Sequence, residues 1–597
     1  MRTLAASRAT DSGSGSGCPS SRRSALASPN GASHRSRLTP SRLLADPTAR
    51  GLALITLGVV LLRLPSFFEP PWHTDEGIFA AVAQRVLSGG HLYADAWESK
   101  PPLFLYLYVA IFKVFGAGIF GLRFAATTFA VLTHLALFFV ALRFMSHRRA
   151  LLAAALCGVL IGVPFWEGTL ALTETFTLLP STAGALLFLL WDERRAALRP
   201  PQRRLSLVRE DGLLFAAGLC FGAAFLLRQT SLAVPAAAGA WVLFRGGPWP
   251  RAALLCAAGG AAVVVPVVAA FEAFGDPHWF WDANVGFFFK YVPSGQELPF
   301  GTRPVIALPF AVTCLALVLS RRRSEPTPAW ALPALWLCLT LAGALLTGRP
   351  YSHYLLQTFP PLAMLIALAA PSPAQVRDAW RRRPSPRPAA LLAPASLFVA
   401  SLLLLWGYVV TPMFEGNPFA MRYTRGPSYY LNFAAWAAGL RSERAYNDYF
   451  DRRVEHTRAL EEALEGLGAA GEKVYIWGEY PWVYPLAAVK PATRYMTSFY
   501  VLLLPYLDVQ LAGTLFAERP AYIVVMSDAK PRLREPSPII DQRWLNATRG
   551  LETVIARDYQ RVATVGRAQV YRRVPERPPV SSGITVPQAL DDAGDSQ

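Results

Sequence analysis

The sequence predicts a polytopic α-helical membrane protein that carries a water-soluble α/β domain near its C-terminus. Hydrophobic residues make up 53% of the 597-residue chain and charged residues only 16%, whereas a soluble protein of this length carries roughly a quarter charged residues. The hydrophobic residues are gathered in runs of about 16 to 22 residues, which is the length that spans a bilayer. After residue 411 these runs give way to shorter segments with the patterns of strands and amphipathic helices.

The net charge of +18 does not indicate a nucleic-acid partner. The arginines lie in the loops between hydrophobic runs, and they do not form a basic face interleaved with aromatic residues. This distribution is typical of the positive-inside rule, by which the cytoplasmic loops of membrane proteins are enriched in Lys and Arg. The expected partner of the chain is therefore a lipid bilayer, and no nucleic acid is expected.

The membrane domain is predicted over residues 47–411. Residues 1–46 are rich in Ser, Gly, Arg and Pro, so they cannot bury enough hydrophobic surface to fold and are expected to form a disordered basic cytoplasmic tail. Counting the hydrophobic runs that follow gives about eleven membrane spans. These spans are expected at 51–68, 123–142, 150–166, 174–191, 212–227, 230–244, 252–274, 304–320, 329–347, 354–370 and 390–411.

One further hydrophobic run, 102–118, is interpreted as a helix that does not cross the bilayer. If it does not cross, the arginine clusters within 143–149, 194–209 and 321–323 lie in cytoplasmic loops, as the positive-inside rule requires. If it crosses, all three clusters move outside. A re-entrant or juxtamembrane helix is therefore expected within an outer active-site loop, 69–122. The N-terminus is then cytoplasmic, the C-terminal region is extracytoplasmic, and about 11–13 transmembrane helices are expected in the cell membrane.

Residues 412–576 are expected to form the extracytoplasmic α/β domain. Segments 473–477 and 521–525 have the composition of short buried strands, and 560–571 alternates like a β-hairpin. Strands that are separated by helical stretches favour a small α/β arrangement. The tail 577–597, with its prolines and small and acidic residues, is expected to be disordered.

A pair of acidic residues and a lysine follow the first predicted span. Asp75 and Glu76 are adjacent, and Lys100 precedes Pro101 and Pro102. Carboxylates are costly inside hydrocarbon, so this pair is expected at the membrane surface, where it faces water or a polar cavity. Adjacent side chains on a helix diverge by about 100°, so only one of the two carboxylates is expected to face a site. An alternative stays open, in which both residues only complement the N-terminus of a helix.

Other charged residues are expected at the same membrane surface. Glu174 opens a predicted span, and Arg228 lies in the turn between two others. A guanidinium at that position needs a partner, which is either a lipid phosphate or an acidic residue within the bundle. Proline restricts the backbone after Lys100 and holds its ammonium at the interface, where it can meet a phosphate. Arg349 lies in a comparable loop, so the predicted donor-phosphate set is Lys100, Arg228 and Arg349.

A divalent metal is a candidate cofactor, and no other cofactor is expected. Carboxylate and imidazole groups are suitable ligands. The candidate ligands in the predicted outer loops are Asp75, Glu98, His278 and His353. No regular ligand spacing joins these residues, so the sequence names the candidates without defining a site.

The motifs of this chain and their order along the sequence resemble those of the GT-C superfamily of polyprenyl-phosphate-dependent glycosyltransferases. The resemblance is to the branch that includes the protein O-mannosyltransferases and the lipid A aminoarabinose transferases. It rests on Arg63-Leu64-Pro65, Asp75-Glu76-Gly77, Lys100-Pro101-Pro102-Leu103, Gly121-Leu122-Arg123, Thr173-Glu174 and His353-Tyr354-Leu355-Leu356. It implies a GT-C-type membrane fold, with Asp75 as the leading catalytic carboxylate, Glu76 and Glu174 as further acidic residues of the site, and Lys100 on the donor phosphate. The second acidic residue departs from the family pattern, because it is Glu174 where the family usually has Asp.

The resemblance implies a membrane glycosyltransferase, hexosyl or pentosyl, that moves a sugar from a polyprenyl-phosphate donor. The acceptor would be a protein, a lipid or a cell-envelope glycan on the extracytoplasmic face, and the transfer would invert the anomeric centre. Two alternatives stay open, namely a transporter or flippase of lipid-linked sugars and a non-catalytic envelope assembly protein. A transporter is expected to carry charged residues near mid-membrane and inverted repeats, and neither is evident in the sequence.

Overall fold

The computed structural model describes residues 46–197, 203–291, 302–322, 327–346, 351–370, 426–504, 507–528 and 538–574. Within these residues a helical bundle is followed by a smaller domain that contains a β-sheet, here called the C-terminal domain. Except for Asp46, the predicted tails lie outside the described residues, and so does the predicted span 390–411.

A helix overlaps every predicted span that lies within the described residues. The helices of this part are α1 Pro47–Arg63, α2 Thr74–Leu87, α3 Pro102–Phe115, α4 Ile119–Ala141, α5 His147–Gly162, α6 Thr173–Ala197, α7 Arg203–Leu227, α8 Ala233–Phe244, α9 Trp249–Phe274, α10 Pro277–Trp281, α11 Phe287–Tyr291, α12 Thr302–Arg322, α13 Ala331–Leu345 and α14 Phe359–Ala369. Five of the described helices are long and apolar enough to cross a membrane: α1 with the 3₁₀ turn that follows it, α4, α6, α7 and α9.

Helix α3 occupies the hydrophobic run that is predicted not to cross the bilayer. It has 14 residues, which at 1.5 Å per residue gives about 21 Å, less than the hydrocarbon thickness of about 30 Å. Pro102 stands at its first position, where an amide donor is not needed. Gly116, with φ of 80°, ends it in a conformation that other residues avoid. The helix is therefore short because both of its ends are set by the local sequence.

Helices α7 and α9 pack in close backbone contact because glycines face each other across their interface. A Cβ atom built on Gly218 would lie 2.2 Å from the carbonyl oxygen of Cys256, and one built on Gly259 would lie 2.1 Å from that of Phe215. Gly222 of α7 likewise lies close to the backbone of α9. Small residues four apart are a common means of close helix packing in membranes. This contact fixes the end of α7, where Arg228 follows.

The C-terminal domain surrounds a five-stranded mixed sheet. Its elements are the helices α15 Gly426–Ala437, α16 Glu443–Asp448, α17 Arg453–Gly466, α18 Val483–Leu486, α19 Tyr500–Leu503, α20 Leu507–Glu518 and α21 Pro538–Asp558, and the strands β1 Lys473–Trp477, β2 Lys490–Pro491, β3 Tyr522–Met526, β4 Tyr559–Val565 and β5 Ala568–Arg573. The strand order is β2-β1-β3-β5-β4. Strands β1, β2 and β3 are parallel, and β5 is antiparallel to both β3 and β4.

The predicted strands 473–477 and 521–525 and the predicted hairpin 560–571 are confirmed. Strand β1 pairs with β3 so that Val474 lies opposite Tyr522. The hairpin of β4 and β5 turns at Gly566, whose φ of 56° suits glycine. The short strand β2 was not predicted, because two residues give no periodic pattern.

The C-terminal domain and the neighbouring ends of the membrane helices share one hydrophobic core. Trp72 and Phe79 of the bundle belong to the same buried cluster as Tyr429, Trp482 and other residues of the C-terminal domain. At Gly77 in helix α2, an added Cβ would lie 2.7 Å from Cδ1 of Trp482. The Trp482 indole N–H also donates to the carbonyl of the residue before α2, at 2.9 Å. The first turn of α2 is therefore held in place by the C-terminal domain.

Candidate active site

A cavity of about 400 Å³ lies where the bundle meets the C-terminal domain. It is bounded by the starts of α2 and α6, by the turns that precede α3 and follow α7, and by the C-terminal domain. The structure brings together predicted site residues that are far apart in the sequence, namely Asp75, Glu98, Lys100, Glu174, Arg228 and His353. Glu76 and His278 are not among its lining residues. Arg349 lies outside the described residues.

Asp75 is one of the acidic residues that line the cavity. It lies in the first turn of α2, and its side chain is partly exposed. Among the described residues it makes no hydrogen bond and no ion pair. The helix N-terminus favours a negative charge at this position. A partly exposed carboxylate without a partner can accept a proton from a bound hydroxyl group, so Asp75 is placed to act as a general base.

Glu76, which was predicted together with Asp75 and Glu174 as a catalytic carboxylate, is directed into the protein core. It is fully buried and forms an ion pair with Arg123, and the amide of Ala171 donates to it at 2.7 Å. Arg123 also donates to Glu69 at 3.0 Å, and Tyr429 of the C-terminal domain donates to Glu69 at 2.7 Å. Burial alone would raise the pKa of Glu76, but the charge and hydrogen bonds of Arg123 hold it below its ordinary value. This geometry favours a positioning role for Glu76.

Glu98 links Lys100 to the wall of the cavity. One of its carboxylate oxygens accepts from the amide and the hydroxyl of Ser99, at 2.9 Å and 3.1 Å, and lies 4.0 Å from Nζ of Lys100. The other oxygen accepts from the hydroxyl of Tyr500. Burial raises the pKa of Glu98 above its ordinary value, and Lys100 and Tyr500 offset this only in part. The Lys100 ammonium is partly exposed to the cavity and lies above the ring of Phe79.

Arg228 and Glu174 form an ion pair on the wall formed by α6 and the turn after α7. Arg228 also donates through Nε to Thr230, at 2.8 Å, and through Nη1 to Thr173, at 3.1 Å. Its guanidinium lies 4.7 Å from the ring centre of Tyr354. Within the described part of the chain, Nη2 of Arg228 makes no hydrogen bond. The ion pair with an acidic residue is the alternative that the sequence left open, and it still leaves donors for an anion in the cavity.

His353 lies between two carboxylates. One ring nitrogen is paired with Glu167, and the other lies 3.8 Å from Glu174. Burial lowers the pKa of His353, but the charges of Glu174 and Glu167 outweigh burial and raise it above its ordinary value.

The predicted metal ligands Asp75, Glu98, His278 and His353 do not come together as a ligand group among the described residues. No three His, Cys, Asp or Glu side chains among the described residues form a group that could hold a metal ion. Of the predicted ligands, Glu98 is occupied by hydrogen bonds and His353 by two carboxylates. His278 packs edge-on against Trp279, outside the cavity lining.

The contacts of Arg63, which the sequence offered only as part of a motif, did not follow from the sequence. The buried guanidinium of Arg63 donates at 2.7 Å to the carbonyls of Ile161 and Gly168 and thereby anchors the loop that carries Glu167. Glu167 itself has a φ of 59°, which is rare for a residue other than glycine. A buried arginine within a hydrophobic run signals a required partner, but no local pattern identifies that partner.

The chain is similar in structure to ArnT from Cupriavidus metallidurans. The structure of ArnT bound to undecaprenyl phosphate aligns with a TM-score of 0.52 and 16% identity, over 89% of this chain and 99% of that chain. The apo form aligns with the same score and identity, over 88% and 98%. An oligosaccharyltransferase from Archaeoglobus fulgidus, tethered with an acceptor peptide, aligns with a TM-score of 0.43 and 13% identity, over 89% of this chain and 75% of that chain. No protein-family model and no curated protein sequence matches the chain.

Proposed function

We propose that this chain, which has the fold of the GT-C superfamily of membrane glycosyltransferases, transfers a sugar from a polyprenyl-phosphate donor. The acceptor is a protein, a lipid or a cell-envelope glycan on the extracytoplasmic face. One observation carries the proposal: Asp75, a carboxylate with no partner among the described residues, shares a cavity with the cations Lys100 and Arg228. These are the groups that a base and a leaving phosphate need.

The proposed reaction begins when Asp75 takes the proton from a hydroxyl group of the acceptor. The acceptor oxygen then forms a bond to the anomeric carbon of the donor sugar. The bond between that carbon and the phosphate oxygen breaks, and the electron pair leaves with the polyprenyl phosphate. Attack opposite the leaving group inverts the anomeric centre. The chemistry requires one base and one anion site on opposite sides of the sugar, and Asp75 is the carboxylate of the cavity that has no hydrogen-bond or ion-pair partner among the described residues.

Lys100 and Arg228 receive the leaving phosphate in this scheme. The ammonium of Lys100 is held beside Glu98 and remains partly exposed to the cavity. Arg228 is oriented by Glu174 and Thr230, and its Nη2 faces no partner among the described residues. Charged hydrogen-bond donors that are already oriented stabilise developing negative charge without reorganisation. Arg349, which lies outside the described residues, is kept as a third proposed phosphate ligand.

An apolar groove supports a lipid-linked donor. It has a volume of about 750 Å³, lies between α7, α8 and α9, and has no charged side chain among its lining residues. Leu232 lines this groove and Thr230 lines the cavity, so one turn of the chain contributes to both spaces. Apolar walls suit the polyprenyl chain, while the polar cavity suits the phosphate and the sugar. The complex of ArnT with undecaprenyl phosphate is consistent with this assignment.

The test is incubation of the purified full chain, in lipid vesicles, with radiolabelled polyprenyl-phosphate sugars and a membrane extract. The proposal predicts that the label becomes covalently attached to an acceptor and that the new bond has the opposite anomeric configuration to the donor. Transport of the label across the vesicle membrane without covalent transfer would support a flippase and would overturn the proposal. If the chain neither transfers nor transports the label with any donor, an assembly protein is favoured.

A further inference from the structure

We propose that Tyr500 of the C-terminal domain is a positioning residue of the donor-phosphate site, which acts by holding Glu98 beside Lys100. The proposal rests on the glycosyl transfer proposed above. It assigns a function to the C-terminal domain, whose sequence carries no recognisable catalytic motif. The domain would complete the reaction cavity by supplying one wall of it, in addition to packing against the bundle.

A segment of the C-terminal domain, residues 493–504 and here called the strap, reaches the cavity. Phe499, Tyr500 and Leu503 of the strap line the same space as Asp75 and Lys100. Tyr500 is only 5% exposed, so its hydroxyl group has a fixed environment. The strap is therefore the part of the C-terminal domain that touches the proposed reaction centre.

The Tyr500 hydroxyl donates to the carboxylate that lies beside Lys100. Glu98 is 3% exposed and divides its two oxygens between different partners. One oxygen receives the Tyr500 hydroxyl, and the other receives Ser99 and lies 4.0 Å from Nζ of Lys100. The carboxylate is thus held at both ends, and rotation of the group would move the second oxygen away from Lys100. Removing the tyrosine hydroxyl would leave one carboxylate oxygen without its donor in a buried site, which disfavours the observed orientation of the carboxylate.

The strap is fixed from both sides, so Tyr500 is placed with little freedom. On the bundle side, the amide of Trp97 donates to the carbonyl of Arg494 at 2.9 Å, and the Trp97 ring meets the Tyr500 ring at 5.3 Å. On the side of the C-terminal domain, Glu479 accepts from the amide of Phe499 at 2.8 Å. A residue that only filled space between the two parts would not need a hydroxyl group directed at a carboxylate in the cavity. The hydroxyl is therefore the feature that a test should remove.

The experiment compares the wild-type full chain with Tyr500→Phe, Glu98→Gln and the double variant, in the transfer assay described above. We expect Tyr500→Phe to raise the KM for the donor about tenfold, as the loss of a hydrogen bond to a charged group implies. The KM for the acceptor should not change. Because both residues act through one contact, the donor KM of the double variant should rise no more than that of Glu98→Gln alone. Tyr559→Phe is the matched control, since its hydroxyl donates to the carbonyl of Pro520 at 2.8 Å, away from the cavity.

A second measurement separates this inference from the proposed function. Binding of undecaprenyl phosphate to the purified full chain, followed by intrinsic tryptophan fluorescence, should weaken about tenfold in Tyr500→Phe and stay unchanged in Tyr559→Phe. The role of Tyr500 would be overturned if Tyr500→Phe had the donor KM of the wild type. It would also be overturned if the increases in donor KM of the two single variants multiplied in the double variant. If Tyr500→Phe does not fold, an unchanged donor KM in Glu98→Gln would overturn it equally. Failure of the wild-type chain to transfer any sugar would instead reject the proposed function, and the binding measurement would still decide the role of Tyr500.

Discussion

Replacing Glu76 with Gln is expected to destabilise the protein more than it impairs its chemistry. Glu76 belongs to a buried group in which the Arg123 guanidinium pairs with both Glu76 and Glu69. The Arg123 and Glu76 side chains are both 0% exposed. Gln at this position removes one of the two carboxylates that pair with Arg123 and leaves the guanidinium with Glu69 alone. Breaking a buried ion pair on one side typically costs about 3–5 kcal/mol.

Thermal unfolding of the purified full chain measures this effect. Glu76→Gln should unfold at a clearly lower temperature than the wild type, while the folded protein at low temperature keeps most of its transfer rate. The double variant Glu76→Leu/Arg123→Met should lose less stability than the two single changes together, because neither Arg123 nor Glu76 is then left buried without the other. The reasoning would be refuted by a Glu76→Gln variant that unfolds like the wild type and yet transfers no sugar, since Glu76 would then act in the chemistry.

Three further predictions concern Lys100, Gly77 and Glu479. Lys100→Met should lower kcat/KM for the donor by about tenfold to a hundredfold and leave the KM for the acceptor unchanged in initial-rate measurements. Gly77→Ala should lower the unfolding temperature, because its Cβ would lie 2.7 Å from Trp482, whereas Gly58→Ala, which meets no atom within 4 Å, should not. Burial raises the pKa of Glu479 from 4.5 to about 7, so its contribution to stability is present below pH 4.5 and is lost as the pH rises through about 7. Glu479→Gln should therefore flatten the decrease in unfolding temperature between pH 5 and pH 8, and an unchanged decrease would contradict this assignment.

Local patterns were sufficient to predict most elements of the fold. Hydrophobic runs mark the helices because a span must hide its backbone in a continuous helix. Pro102 and Gly116 set the ends of α3 directly. The strands β1 and β3 and the hairpin around Gly566 follow from alternation and turn residues, which also act over short distances.

The candidate site could be predicted only in part. The divergence of Asp75 and Glu76 follows from helix geometry, but which of them faces the cavity depends on Arg123, which lies 47 residues later in the chain. The contact of Tyr500 with Glu98 joins residues 402 positions apart. A sequence pattern indicates that a segment requires a partner, for example for a buried charge. It does not indicate which distant segment supplies that partner.

The most direct test of the account is the rate of sugar transfer by Asp75→Asn, measured on equal amounts of folded protein. Loss of a general base should reduce the rate about a hundredfold to ten-thousandfold, with the same unfolding temperature as the wild type. The matched control is Asp448→Asn, because Asp448 is exposed and lies outside the cavity lining. Transfer by Asp75→Asn at the wild-type rate would contradict the central claim that Asp75 is the base of a glycosyl transfer.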